Sequence, residues 1–126
     1  MKIEHMALWC RDIERTRAFY ETWFGAQANT RYENARKGFS SYFMRFGEGA
    51  RIELMQRTDV VAMPEPTPLG YAHFALSLGS ETAVDTLTAR MREAGVVIAD
   101  GPRRTGDGYY ESVVLDPDGN RIELTT

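Results

Sequence analysis

Arg51-Ile52-Glu53-Leu54 returns unchanged as Arg121-Ile122-Glu123-Leu124, and the architecture is read from this repetition. Working upstream, Glu4-His5-Met6-Ala7-Leu8-Trp9 is echoed by Ala72-His73-Phe74-Ala75-Leu76-Ser77, with His-x-Ala-Leu common to both. The His-to-Glu spacing is 48 residues in the first half and 50 in the second. A four-residue match alone would be weak evidence. Two matched pairs in the same order at nearly the same spacing mark an internal duplication.

Each half carries the same local signals. Residues 2–9 alternate as a strand, Asp12 sits where a helix N-cap belongs, and Ile13 to Phe24 show helical apolar spacing stopped by Gly25. Strands are expected at about 27–34, 39–46 and 50–57, with Gly47-Glu48-Gly49 as the turn between the last two. In the second half a strand over 71–78 precedes a helix from Glu81 to Glu93, capped by Ser80 and closed by Gly95. Strands near 96–99, 108–115 and 120–125 follow, the last two joined by the turn Asp116-Pro117-Asp118-Gly119. Residues 58–69 carry Pro64, Pro66 and Pro68 without strand period and read as a linker. The expectation is an α+β fold of two tandem βαβββ units, about 1–57 and 70–126. They form a curved mixed sheet around a metal site within a single domain over 1–126.

Composition limits the function classes. At 126 residues the chain can bury one real core but not two independent ones. A net charge of −3 with interspersed signs lacks the clustered Lys and Arg of a nucleic-acid surface. Apolar runs fall short of a membrane span, and the N-terminus enters a strand pattern without a signal-peptide layout. Cys10 is the only cysteine, so no internal disulfide forms and a cytoplasmic location is expected. Cys10 is a small buried hydrophobe or, as the lesser reading, a nucleophile.

The chemistry rests on His5, Glu53, His73 and Glu123. The chain has two histidines, at equivalent positions of the two repeats, and each has an equivalent Glu. Packing of related units about a pseudo-twofold axis would gather two imidazoles and two carboxylates around one point. Such a mixed set suits zinc, nickel, cobalt, manganese or iron(II) better than calcium. Strand parity puts His5 with Ala7, and Glu53 with Arg51, on faces away from the apolar residues. Taken singly, each residue has a plainer reading, a hydrogen-bonded His or a cross-strand Arg–Glu pair. The duplication favours the metal.

With these residues in place the chain resembles the vicinal oxygen chelate superfamily, and within it the glyoxalase I branch. The resemblance runs through the His5 strand, the Phe19-Tyr20 helix ending Trp23-Phe24-Gly25-Ala26, Gly70-Tyr71-Ala72-His73-Phe74-Ala75-Leu76, and Asp116 to Leu124. It implies one divalent metal, zinc or nickel foremost, held by His5, Glu53, His73 and Glu123. It implies lyase or isomerase chemistry on a hemithioacetal of a 2-oxoaldehyde and a thiol, passing through an enediolate. Glu123 is then the foremost catalytic base, with Glu53 serving the opposite substrate face. Alternatives from the same superfamily are an iron(II) dioxygenase, in which one of the four residues leaves the metal, and a drug- or metabolite-sequestering protein.

Two positions depart from the branch. Trp9 stands where an Arg is common and Arg57 where an Asn is common, and both positions help hold glutathione in the family. The thiol is therefore open. Arg57 or Arg104 is expected to hold an anionic substrate group, with Tyr110 and Trp9 lining the pocket. The alternative for 103–111 is an ordinary solvated hairpin with one Tyr packed in the core. Residues 34–38 are read as an exposed turn, and the aromatic spacing from Phe19 to Phe24 as helix packing. The family typically forms homodimers, which is expected here too, with the site inside one chain or shared between two.

Overall fold

The computed structural model of the 126-residue chain describes residues 3–61, 70–106 and 108–126. The prolines of the expected linker, the first two residues and Asp107 lie outside them. The chain divides into two compact units, Met1–Pro68 and Leu69–Thr126. Each has its own mixed sheet and one long helix, so the fold is α+β.

The first unit runs β1 (His5–Trp9), α1 (Ile13–Phe24), β2 (Gln27–Ala28), β3 (Tyr32–Asn34), β4 (Phe39–Arg45) and β5 (Arg51–Arg57). Its strand order is β1-β5-β4-β2, with β3 also on β4. Strand β1 lies parallel to β5, and the other pairings are antiparallel. Helix α1 starts where Asp12 accepts hydrogen bonds from the Glu14 and Arg15 N–H groups. It ends at Gly25, whose φ of 62° is the left-handed cap that glycine takes without strain. The helix packs on β4 and β5. Ile13, Tyr20, Met44, Ile52 and Leu54 are buried in the unit's core. Each such side chain is worth about 1.5–3 kcal/mol for leaving water.

The expected strand over 27–34 is split. Asn29 accepts the Phe43 N–H on its side chain at 2.7 Å, while its own N–H goes to the Phe43 carbonyl at 3.1 Å. A side chain has replaced a ladder bond, and regular pairing resumes only at Tyr32. Residues 35–37 form a 3-10 turn between the Asn34 side chain, which accepts the Lys37 N–H, and Gly38.

The second unit runs β6 (Phe74–Ser77), α2 (Glu81–Glu93), β7 (Ile98–Arg104), β8 (Tyr110–Leu115) and β9 (Arg121–Thr125). The sheet order is β6-β9-β8-β7, with β6 parallel to β9. Ser80 accepts the Ala83 N–H to start α2. Val84, Thr88 and Met91 of α2 are buried, as are Val114, Ile122 and Leu124 of the sheet that α2 packs on. Thr88 and Ser112 share a buried hydroxyl contact of 2.6 Å, which identifies the helix-side face of β8.

Two expectations change here. The strand expected over 71–78 begins at Phe74, leaving His73 just outside its N-terminal end. The strand expected at 96–99 instead extends to Arg104, so Arg103 and Arg104 are strand residues rather than part of a hairpin loop. Register shifts between Ile98 and Arg103 carry β7 past Gly101 and Pro102. Cys10 is 4 % exposed, the small buried hydrophobe of the first reading. No helix among the described residues is long and apolar enough to cross a membrane.

Candidate metal and substrate site

In each unit a His and its partner Glu are brought together by the same construction. Ala7 lies opposite Glu53 in the parallel pair β1–β5, and Ala75 lies opposite Glu123 in β6–β9. Each His stands two residues before that Ala, on the same face of the chain. The small Ala leaves the Glu side chain free to lean towards the His. The resulting separations are 4.0 Å between His5 Nε2 and Glu53 Oε2, and 3.2 Å between His73 Nε2 and Glu123 Oε1. Both carboxylates are mostly buried, 17 % and 19 % exposed, whereas the imidazoles are about twice as open.

The surroundings of His5 orient it. Its Nδ1 contacts the Glu4 carboxylate, which also pairs with Arg51. The hydrogen bond to His5, then that to Arg51, hold the Glu4 carboxyl below its usual range. An imidazole that donates Nδ1–H to Glu4 carries its lone pair on Nε2, the nitrogen facing Glu53. The ring also meets Phe43 edge-on at 5.2 Å, and the Arg51 guanidinium lies 4.2 Å over that same Phe43. Glu4 had no distinguishing mark in the sequence beyond its place beside His5.

Among the described residues no group of three or more His, Cys, Asp or Glu side chains is gathered closely enough to hold a metal. Each unit by itself offers a pair. The donor chemistry and spacing fit a divalent ion. Nitrogen and oxygen ligands at about 2.0–2.2 Å from one metal stand roughly 3–4 Å from each other, depending on the angle between them. Both measured separations fall in that interval.

The remaining predicted residues divide by sheet face. Trp9 and Arg57 lie on the His5 and Glu53 side, in contact with each other, the guanidinium 5.0 Å from the Trp9 ring. Arg104 and Tyr110 are turned the other way. Arg104 pairs with Glu81, and the Tyr110 hydroxyl donates to Asp85 at 2.6 Å, both acceptors belonging to α2. Their alternation places them with Ser112 on the helix-covered face, away from Glu123. The Asp85 hydrogen bond, with burial, pushes the Tyr110 hydroxyl pKa up.

Their neighbours take the Glu123 side. Arg103 lies opposite Glu111, Glu111 opposite Thr125, and Val113 opposite Glu123. Arg103 bonds Asp100 at 2.7 Å and approaches Glu111 at 3.4 Å. The Asp100 hydrogen bond raises its pKa most, and the charges of Glu111 and Glu123 add to this. Arg103, rather than the expected Arg104, lies on the Glu123 side, and parity identifies that face only after the strand has been placed.

Similarity to known proteins agrees with this construction. The Glyoxalase/Bleomycin resistance protein/Dioxygenase superfamily model matches residues 2–124, and the chain belongs to that superfamily. It is 32% identical to an uncharacterized protein of Pseudomonas aeruginosa, covering 98% of this chain and 86% of that one. It is 28% identical to a lactoylglutathione lyase of Salmonella typhimurium, covering 98% and 91%. Among solved structures, a glyoxalase/bleomycin resistance protein/dioxygenase domain from Frankia superposes with a TM-score of 0.84 at 19% identity, covering 99% and 96%, a likeness of fold.

Proposed function

We propose that the protein is a metal-dependent lyase or isomerase of the glyoxalase I type, acting on a small oxoaldehyde–thiol hemithioacetal or a related hydroxy-carbonyl compound. The observation that carries this is the duplicated pair: His5 with Glu53 and His73 with Glu123, each built on the same parallel register. A pure binding protein has no use for that set. His5, Glu53, His73 and Glu123 are the residues that would hold one divalent ion, with zinc or nickel foremost and cobalt, manganese or iron(II) also suited to the donors. When bound, that ion supplies Lewis-acid stabilisation of negative charge developing on substrate oxygens.

The chain's own residues do the proton work. Glu123 takes a proton from one substrate carbon and returns it to the neighbouring carbon, a shuttle that a short carboxylate arm performs without leaving its place. Its low exposure keeps water from competing for that proton. Glu53 faces the other side of the substrate. Arg57 and Trp9 contact the part of the substrate remote from the reacting carbons. The same reading takes residues 1–126 as one domain, a cytoplasmic location from the lone Cys10, and a homodimer that completes or flanks the site from the family resemblance.

A second reading, an iron(II) dioxygenase holding its metal with three of the four residues, draws support from the wider His5–Glu53 separation. Metal-free protein reloaded separately with zinc, nickel, cobalt and manganese, then offered methylglyoxal with glutathione and other small thiols, separates the two. Thioester formation with at least one metal is the expected result. None with any combination, despite a tightly bound metal, overturns the glyoxalase assignment.

A further inference from the structure

On the His5 and Glu53 face of the first sheet, a second cluster lies towards the far end of the strands. Trp9, 40 % exposed, meets Phe39 edge-on at 6.4 Å. Phe39 meets Tyr32, 54 % exposed, at 6.1 Å. Arg57, directly opposite Phe39 in the β4–β5 ladder, lays its guanidinium 5.0 Å over Trp9. Three aromatic rings and one cation thus form a contiguous, partly exposed platform, with the Trp9 and Phe39 rings at 89° to each other and the Tyr32 ring tilted 60° from Phe39. They come from β1, β3, β4 and β5, and only the register of the sheet unites them.

Contiguous exposed apolar clusters mark binding sites, unlike hydrophobic residues scattered singly over a surface. Large exposed aromatic surface gains by burial against a flat apolar partner. The cation adds charge selection. Among the described residues Arg57 pairs with Asp59, two residues further on and itself 68 % exposed. A solvent-exposed pair of that kind is weak, and a better-placed carboxylate displaces it. The Asp59 carboxyl is held below its usual range chiefly by its hydrogen bond from Arg57, so it is an anion standing in the place where a ligand's anion would go.

We infer that this platform binds the remote end of the substrate, and that this end is a flat aromatic ring bearing an anionic group. The inference rests on the glyoxalase reading only in taking the His5 and Glu53 end of the face as the reacting end. From Glu53 to Arg57, or from His5 to Trp9, is four residues of strand, about 13 Å at the usual rise. The ring and its anion therefore belong to an extended substrate rather than to a compact aldehyde. This is a different selectivity from that for a flexible peptide thiol, which needs several polar donors and no stacking surface.

Binding measured without turnover tests this. Metal-loaded protein is titrated calorimetrically with 2-naphthoate, its saturated decahydro analogue and 2-naphthamide. Expected is roughly tenfold tighter binding of naphthoate than of either analogue, the scale of one desolvated stacking or cation contact. Trp9→Leu should erase the preference for the aromatic over the saturated ring, and Trp9→Phe should restore part of it. Arg57→Gln should erase the preference for carboxylate over amide while leaving the aromatic preference. Equal binding of the three probes, no binding at millimolar concentration, or discrimination unchanged in both variants overturns the inference. Its failure is separable from failure of the function: selective naphthoate binding without thioester formation keeps the platform and removes the chemistry. Thioester formation without selectivity does the reverse.

Discussion

The carboxylate of Glu123 lies 3.2 Å from Nε2 of His73, the residue that immediately precedes the neighbouring parallel strand β6. The first unit repeats the arrangement with Glu53 at 4.0 Å from His5. The tighter pair is the one assigned the proton shuttle. Glu123→Gln keeps shape and one oxygen donor but removes the basic site. Thioester formation by the metal-loaded enzyme is expected to fall by about 10²–10⁴, the usual contribution of a positioned general base. The metal titration should still saturate.

Glu53→Gln distinguishes the reaction classes. An isomerase that needs both carboxylates loses most of its turnover. A three-ligand oxygenase, with Glu53 off the metal, keeps nearly all of its oxygen consumption. Parallel assays of the one variant for both activities give the answer.

Metal removal should show in stability as well as in rate. An ion bound only by the folded chain stabilises it by about 2.7 kcal/mol at a free concentration one hundred times its Kd. Chelation is therefore expected to lower the Tm of the wild type. In His73→Ala the chelator-dependent part of the shift should shrink sharply, because one ligand is missing and Glu123 is left without its neighbour.

Tyr42 and Glu14 predict a pH dependence remote from the site. The Tyr42 hydroxyl donates to Glu14 at 2.8 Å, and this bond, helped by Arg17 and Arg31, holds the Glu14 carboxyl below its usual range. A carboxyl whose pKa is lower folded than unfolded stabilises the fold above the unfolded value of about 4.3, and that contribution is lost as pH falls through the folded value. Tyr42→Phe should therefore cost more stability at pH 7 than at pH 3, measured as the difference in urea midpoint from wild type. A difference that grows on acidification would contradict the assignment.

Gly101 and Gly95 offer a matched pair. Both have positive φ, 74° and 82°. A Cβ on Gly101 would sit 2.6 Å from the Glu111 carbonyl oxygen, whereas one on Gly95 meets nothing within 4 Å. Gly95→Ala should cost about 1 kcal/mol from backbone strain alone. Gly101→Ala adds a backbone clash, and a loss of more than about 3 kcal/mol is expected. Because Gly101 sits in the strand that leads to Arg103, the same substitution should also disturb the Glu123 side of the sheet.

Much of this architecture is legible in the chain itself. Helix ends are local events, so Asp12 with Gly25 and the Ser80 cap mark α1 and the start of α2 within a few residues of sequence. Alternation is local too. It separates His5, Ala7 and Glu53 from the apolar Met6, Leu8, Ile52 and Leu54 without reference to any pairing. The duplication linked each His to one Glu.

Register and sidedness are set in three dimensions, because both depend on which distant strand supplies the hydrogen-bonding partner. That Glu123 faces Ala75, with His73 beside it, follows from a parallel pairing between segments 48 residues apart, on which local periodicity is silent. The irregular passage of β7 past Gly101 and Pro102 decides that Arg103 joins Glu123's face while Arg104 turns to α2. A one-residue change of phase reverses every side chain beyond it. Trp9 and Arg57 likewise meet only because β1 lies beside β5, which turns two departures from a family pattern into one contact.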